Sequence, residues 1–362
     1  MNTDRKKNVT SVLECLDMEI LDRYEGVQFI ALRAFLDSLI ISLIIGTNTF
    51  IVFAILRHRP RRKQETPTPS NVSVRLALNL AIADLLVGLT TVYYLSSKYL
   101  CSVIAVLSHL KYLCLSMFAM IMCAHATSAY TIVAIAIDRY IAVVHALRYR
   151  ELMSTRNSRI MVGLVWIFSI CVSSPVFYWN QWNTSSSCDE SSVFPVEYLP
   201  VVTMLSHCII MGIVGGFHRR IHHEAIASDE RKRSRVYGVT PLPSRESRIG
   251  LKFHSKSAKV LLLVTGCYII CWTPITVIFF FRGYASVTPI IDVLYNYFFT
   301  FLNINYLLNP IVYSWMNPSV RASLLEVINL FSFKRKQSRG SVTKTIGDQN
   351  AFPSVSTVYS IT

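Results

Sequence analysis

The sequence predicts an all-α membrane protein: a seven-transmembrane-helix bundle with a short amphipathic membrane-surface helix after the seventh span. Three observations predict it. The 362 residues are 52% hydrophobic and only 16% charged, with a mean hydropathy of +0.41, whereas soluble domains carry roughly a quarter charged residues. Seven apolar stretches each reach the ~20 residues that a helix needs to cross a bilayer. The basic residues are segregated, with 28 of the 36 lysines and arginines on the side of the links that also holds the C-terminal tail.

Residues 1–32 form an acidic-leaning tail without apolar pattern and contain a glycosylation sequon at Asn8-Val9-Thr10. The first span, 34–56, lacks a small-residue cleavage site and is followed by basic residues, so it reads as a retained helix and not a signal peptide. Gly46 and Asn48 are its notable interior features. A basic, proline-broken link leads to the second span, 74–97, which carries Asp84 at mid-helix. A carboxylate there is expensive in lipid and demands polar company from other helices.

The third stretch, Cys114–Arg150, starts with a cysteine and carries Asp138-Arg139-Tyr140 near its end, an acid–base pair at the mouth of a spanning helix. The fourth span, 158–179, holds Trp166 and Pro175. The loop after it contains Cys188 and a sequon at Asn183-Thr184-Ser185. The fifth span is 196–221 and a basic, serine-bearing loop covers 222–252. The sixth span, 253–280, runs through Cys271-Trp272-Thr273-Pro274. The seventh, 289–315, ends in Asn309-Pro310-Ile311-Val312-Tyr313. The organisation is therefore a tail (1–32), a transmembrane domain (33–316), an amphipathic helix (317–331) and a serine- and threonine-rich tail (332–362) expected to be disordered.

An odd number of spans puts the two ends on opposite sides, and the basic bias puts the C-terminus in the cytoplasm. The formal charge of +15 is then mostly this positive-inside signature, and no nucleic-acid partner is expected. Of the nine cysteines, Cys15, Cys101, Cys114 and Cys188 lie outside helices or at their ends and are the disulfide candidates, with connectivity open. No HExxH, GxSxG or paired intramembrane aspartates are present, so an enzyme is not expected. A seven-helix transporter or pump is the competing class. It calls for inverted repeats and several buried ionisable groups, whereas no internal repeat is evident and Asp84 is the one mid-span acid.

Taken in order, Asn48, Leu80-Ala81-Ile82-Ala83-Asp84, Cys114, Asp138-Arg139-Tyr140, Trp166, Cys271-Trp272-Thr273-Pro274 and Asn309-Pro310-Ile311-Val312-Tyr313 resemble the marks of rhodopsin-like (class A) G-protein-coupled receptors over residues 33–330. The resemblance implies an extracellular ligand, a heterotrimeric G protein as partner, receptor kinases and arrestin acting on the tail, and residence in the plasma membrane with the N-terminus outside. It implies a Cys114–Cys188 disulfide and a G-protein switch of Asp138, Arg139, Tyr140 and Tyr313. It also implies an activation core of Trp272, Pro274, Asn309 and Pro310. Asp84, Ser128, Asn305 and Asn309 match the family's sodium cluster; a water-filled polar network is the alternative, and no other cofactor is implied. The ligand pocket it implies is lined by Ile121, Met122, His125, Val202, Ser206, Trp272, Ile275, Thr276, Phe279, Phe299 and Asn303.

The chain also departs from the pattern. Ile210 stands where the fifth helix usually has proline, His218 where a tyrosine is usual, and Tyr268 where phenylalanine is usual; no acid lies in Lys252–Lys256. That last absence leaves Arg139 without a familiar restraint and suggests raised basal activity. Ile121 replaces the aspartate of amine receptors and Asn303 the retinal lysine of opsins, so a usual biogenic-amine receptor and a Schiff-base photoreceptor are not expected. A neutral ligand is expected instead: a nucleoside, indole or lipid, or a melanocortin-like peptide, with His125 and Asn303 as polar anchors.

Overall fold

A computed structural model describes residues 27–58, 69–182, 188–237, 245–284, 289–316 and 318–329. Seven long helices cross the bundle: α1 (Val27–His58), α2 (Pro69–Tyr99), α3 (Lys111–Val144), α4 (Thr155–Ser173), α5 (Tyr198–Tyr237), α6 (Arg245–Tyr284) and α7 (Pro289–Met316). Stretches of α1 to α6, that of α4 extended to Phe177, are long and apolar enough to span a membrane, and α7, with 28 residues, is about 42 Å long at the usual helical rise. An eighth helix, α8 (318–329), follows. Val320, Ser323, Leu324 and Val327 are its buried residues, the spacing of one helix face, and the three apolar ones belong to the same core cluster as residues of the seven long helices.

The helices are turned outward relative to a soluble protein. Phe35, Leu39 and Leu43 on α1 and Leu164, Ile167 and Phe168 on α4 are exposed, while Asn48, Asn79, Asp84, Ser128, Asn305 and Asn309 are buried. Hydroxyls satisfy themselves on the preceding turn, as with Thr47 donating to the Leu43 carbonyl at 2.7 Å and Ser169 to that of Val165 at 2.7 Å, which removes an orphan donor from an apolar setting. α3 is the central rod and touches α2, α4, α5 and α6. Across its middle, Trp166 Nε1 donates to Asn79 Oδ1 (3.0 Å) and Asn79 Nδ2 to Thr131 Oγ1 (2.8 Å), tying α4, α2 and α3 together. Gly88 allows α1 and α2 to close, because a Cβ there would lie 2.8 Å from Ile45 Cγ1.

Several boundaries differ from expectation. α3 stops at Val144, not Arg150; His145 caps it, then a 3-10 turn (Ala146–Arg148) and a short helix (Tyr149–Leu152) turn the chain back beneath its end. α4 starts at Thr155, three residues early, because Ser154 accepts the Asn157 backbone N–H at 3.2 Å, the usual work of an N-cap serine. An unexpected helix, Cys101–His109, joins α2 to α3. α5 and α6 extend into the stretch expected to be loop. In α1, Arg33 and Asp37 are also buried, and Asp37 accepts a hydrogen bond from Thr300 of α7 at 2.6 Å. The expected sequons Asn8 and Asn183, and Cys15, lie outside the described residues.

Candidate functional site

Cys114, in the first turns of α3, is disulfide-bonded to Cys188 of the loop between α4 and α5. This bond holds the loop across the bundle. Glu190–Val193 then forms a short helix, and Phe194 stacks on Tyr198 of α5 (4.5 Å, 10°) and meets Phe118 of α3 edge-on (5.2 Å). Beneath lies a cavity of about 130 Å³. Ile121, Met122, His125, Val202, Ser206, Trp272, Ile275, Phe279 and Phe299 line it, together with Ile210 and Tyr268. Thr276 and Asn303 are buried but lie outside this lining. Thr276 Oγ1 donates to the Trp272 carbonyl (2.9 Å) and Asn303 Nδ2 to that of Phe299 (3.1 Å).

The lining also contains residues that the sequence reading missed: Glu190, Tyr94, Tyr295 and His207. Glu190 is only 8% exposed. Its Oε1 accepts the Tyr94 hydroxyl at 2.5 Å and that of Tyr295 at 2.8 Å. Arg282 Nη1 of α6 lies 3.9 Å from its Oε2. The loop carboxylate thus meets α2, α6 and α7 at one point. An acid two residues after the loop cysteine was the available signal, but only the disulfide brings it inward.

Deeper in the bundle, His125 hydrogen-bonds through Nδ1 to the Tyr306 hydroxyl and meets Trp272 edge-on at 5.6 Å. Its Nε2 is buried with no hydrogen-bond partner. Pro310 supplies no backbone N–H for the carbonyl four residues earlier, which is that of Tyr306. The Asn48 Nδ2 takes that carbonyl at 3.2 Å. Below, Asp84 accepts Ser128 Oγ at 2.6 Å and Asn309 Nδ2 at 2.9 Å. Both side-chain atoms of Asn305, and Oδ1 of Asn309 and of Asn48, are buried with no hydrogen-bond partner. A carboxylate, a hydroxyl and spare amide oxygens suit a hard cation.

At the far end of α3, Arg139 Nε donates to Asp138 Oδ2 at 2.9 Å, and its Nη2 contacts Asp138 and Ser73 of α2. The Tyr149 hydroxyl donates to Asp138 Oδ1 at 2.6 Å. Burial, with the Asp138 carboxylate adding to it, pushes the Tyr149 phenol well above the ordinary tyrosine range, so it stays a donor. Asp138 is 1% exposed, and three elements supply its partners. Tyr140 packs on Phe217 of α5 at 5.0 Å. The side chains of Tyr313 and of 252–256 lie outside the described residues.

Comparison with known sequences fits this geometry. The chain is 24% identical to the adenosine receptor A2a of Equus caballus over 285 residues, 74% of this chain and 66% of that receptor. It is 25% identical to melanocortin receptor 5 of Bos taurus over 319 residues, 84% and 86% of the two. It is 24% identical to melanocortin receptor 5 of Mus musculus over 270 residues, 71% and 74% of the two. The family profile "7 transmembrane receptor (rhodopsin family)" matches residues 15–313. With its multi-pass helices, disulfide and buried Asp138–Arg139 pair, the chain belongs to the rhodopsin family of seven-transmembrane receptors.

Proposed function

We propose that the chain is a ligand-activated receptor of the plasma membrane that drives nucleotide exchange on a heterotrimeric G protein and catalyses no reaction of its own. The single observation that carries this reading is α3 itself. One rod contributes Ile121, Met122 and His125 to the cavity, Ser128 to the Asp84 cluster, and Asp138 and Arg139 to the closed contact with Ser73 and Tyr149. The N-terminus and the disulfide face outward, which also makes Asn8 and Asn183 glycosylation sites; the Arg139 end faces the cytoplasm. A ligand that binds better when α6 swings outward shifts the population toward that form and can act only through this difference in affinity. In the open form Arg139 leaves Asp138 and meets the G protein, while Pro274 and Pro310 supply the bends about which α6 and α7 move. Tyr140 and Tyr313 complete that face, and Trp272 couples it to the cavity. Receptor kinases and arrestin then act on the C-terminal tail.

The Asp84, Ser128, Asn305 and Asn309 cluster would hold a sodium ion, supplying positive charge to the buried carboxylate and favouring the closed form. The relatives point to nucleosides and peptides as first ligands to screen. Ile121 leaves α3 without a counter-ion, which favours a neutral ligand; Glu190 in the lining changes that balance. The test is G-protein recruitment in cells by wild type and Arg139→Ala at matched surface level. Recruitment is expected to be lost in the variant, and recruitment unchanged by it refutes the mechanism.

A further inference from the structure

The geometry points to Glu190 as a cation anchor: the cavity takes an organic ammonium or guanidinium carried on an apolar, aromatic body. This rests on the ligand-activated reading above. Both phenols fall on Oε1, whereas Oε2 accepts no hydrogen bond from a described residue and has Arg282 Nη1 at 3.9 Å. That is beyond hydrogen-bond distance. Arg282 is turned elsewhere: its Nη2 is 3.0 Å from Asp292 Oδ1 and its guanidinium lies 4.4 Å from the centre of the Tyr295 ring. Lys98, the other cation nearby, pairs with Asp189. A carboxylate this buried is costly unless paired and hydrogen-bonded, and a ligand cation at Oε2 completes the pairing.

The walls suit the rest of such a ligand. Tyr94 and Phe299 (5.2 Å), Phe279 and Tyr295 (5.7 Å), and Tyr295 and Phe299 (6.2 Å) form an aromatic sleeve beside the carboxylate, favourable for a cation and for a flat apolar body. His125 is a second, independent observation. It lines the same cavity, is 7% exposed and keeps Nε2 without a partner. It lies about 16 Å along α3 from Cys114 at the usual rise per residue. The ligand therefore carries its charge toward the loop and a hydrogen-bonding group at the opposite end of its apolar body. A small arylalkyl amine and the lysine, arginine or amino terminus of a peptide share this chemistry.

The test uses the full-length receptor with two probe sets. The first pairs phenethylamine, tyramine and tryptamine with their alcohol isosteres; the second pairs short aromatic peptides containing lysine or arginine with norleucine or citrulline counterparts. Thermal stabilisation of purified receptor reads binding without a G protein. The charged member of a pair is expected to stabilise wild type more than its neutral isostere. Glu190→Gln, which keeps an acceptor for Tyr94 and Tyr295, is expected to weaken the charged probe about 10- to 100-fold and leave the neutral isostere unchanged. Glu190→Asp, which keeps the charge, is expected to recover part of the difference. Equal loss for charged and neutral probes would make Glu190 a structural clamp and overturn the proposal. Equal binding of charged and neutral members to wild type, or no stabilisation by any charged probe at millimolar concentration, also overturns it. Recruitment unchanged by Arg139→Ala, with the charged probe still stabilising wild type through Glu190, would instead overturn the signalling reading and leave the anchor standing. Which probe set responds tells the amine from the peptide.

Discussion

Replacing Tyr149 by phenylalanine removes one oxygen and leaves the ring that fills its site, which is 4% exposed. The oxygen donates to Asp138 Oδ1 at 2.6 Å, while Arg139 occupies Oδ2. A hydrogen bond to a charged acceptor contributes about 1.5–3 kcal/mol, and Asp138 has no access to water that could replace it. The bond favours the closed form by its full value when it is made there and broken once Arg139 leaves Asp138. The closed-to-open ratio then falls about 10- to 100-fold in the variant. For an open fraction of about 1%, the variant would show about 10–50%. The assay is agonist-independent nucleotide exchange by a G protein in membranes, with receptor number equalised by surface labelling. The exchange rate of Tyr149→Phe is expected to rise about 10- to 50-fold over wild type, in step with the open fraction. A basal rate equal to wild type, with the variant folded and present in equal amount, refutes the claim that the Tyr149 contact restrains Arg139.

Three further outcomes follow from other parts of the bundle. Gly88→Ala sets a methyl group 2.8 Å from Ile45 Cγ1, so it is expected to cost about 1–3 kcal/mol, read as a lower unfolding midpoint in nanodiscs. Asn48→Ala strips the Tyr306 carbonyl of its side-chain donor and is expected to cost about 1–3 kcal/mol in the same measurement; an unchanged midpoint counts against that role. Sodium, compared with potassium at equal ionic strength, is expected to raise the midpoint of wild type but not of Asp84→Ala. An equal response of both proteins argues for the water-filled network.

The spans were legible because apolar length is a one-dimensional property: a stretch such as 34–56 must cross or be buried whatever its neighbours do. The end of α3 was not. Residues 145–150 contain no glycine or proline to stop a helix, and what turns them back is the fit of Tyr149 beneath Asp138, a tertiary contact. The extensions of α5 and α6 escaped for the complementary reason that polar helix beyond the bilayer carries no hydropathy signal. In the cavity, residues on helix faces such as Ile121, Met122 and His125 were readable from resemblance and spacing. Thr276 and Asn303 sit one turn after the lining residues Trp272 and Phe299 but hydrogen-bond to their own helices. Glu190 was unreadable because its position depends on a loop pulled inward by the disulfide.

Asp84 illustrates how the parts constrain one another. Its oxygens bind Ser128, three residues after His125 on α3, and Asn309, next to the proline of α7. Three residues before Asn309, Tyr306 joins His125 through its hydroxyl and Asn48 through the carbonyl that Pro310 leaves open. The cavity floor and the carboxylate therefore share both helices. A ligand that pulls on His125 acts on the Tyr306 segment of α7, the segment whose backbone ladder the proline has already interrupted. Coupling through such a chain needs an element with two arrangements, not contiguity alone. α7 has the means for two arrangements, because the Tyr306 carbonyl is held by a side chain from another helix and not by its own backbone. Loss of that one bond frees the helix to shift without breaking a regular ladder. The helix segments that bring Ser128 and Asn309 to Asp84 are thus the same segments that carry His125 and Tyr306 at the cavity floor.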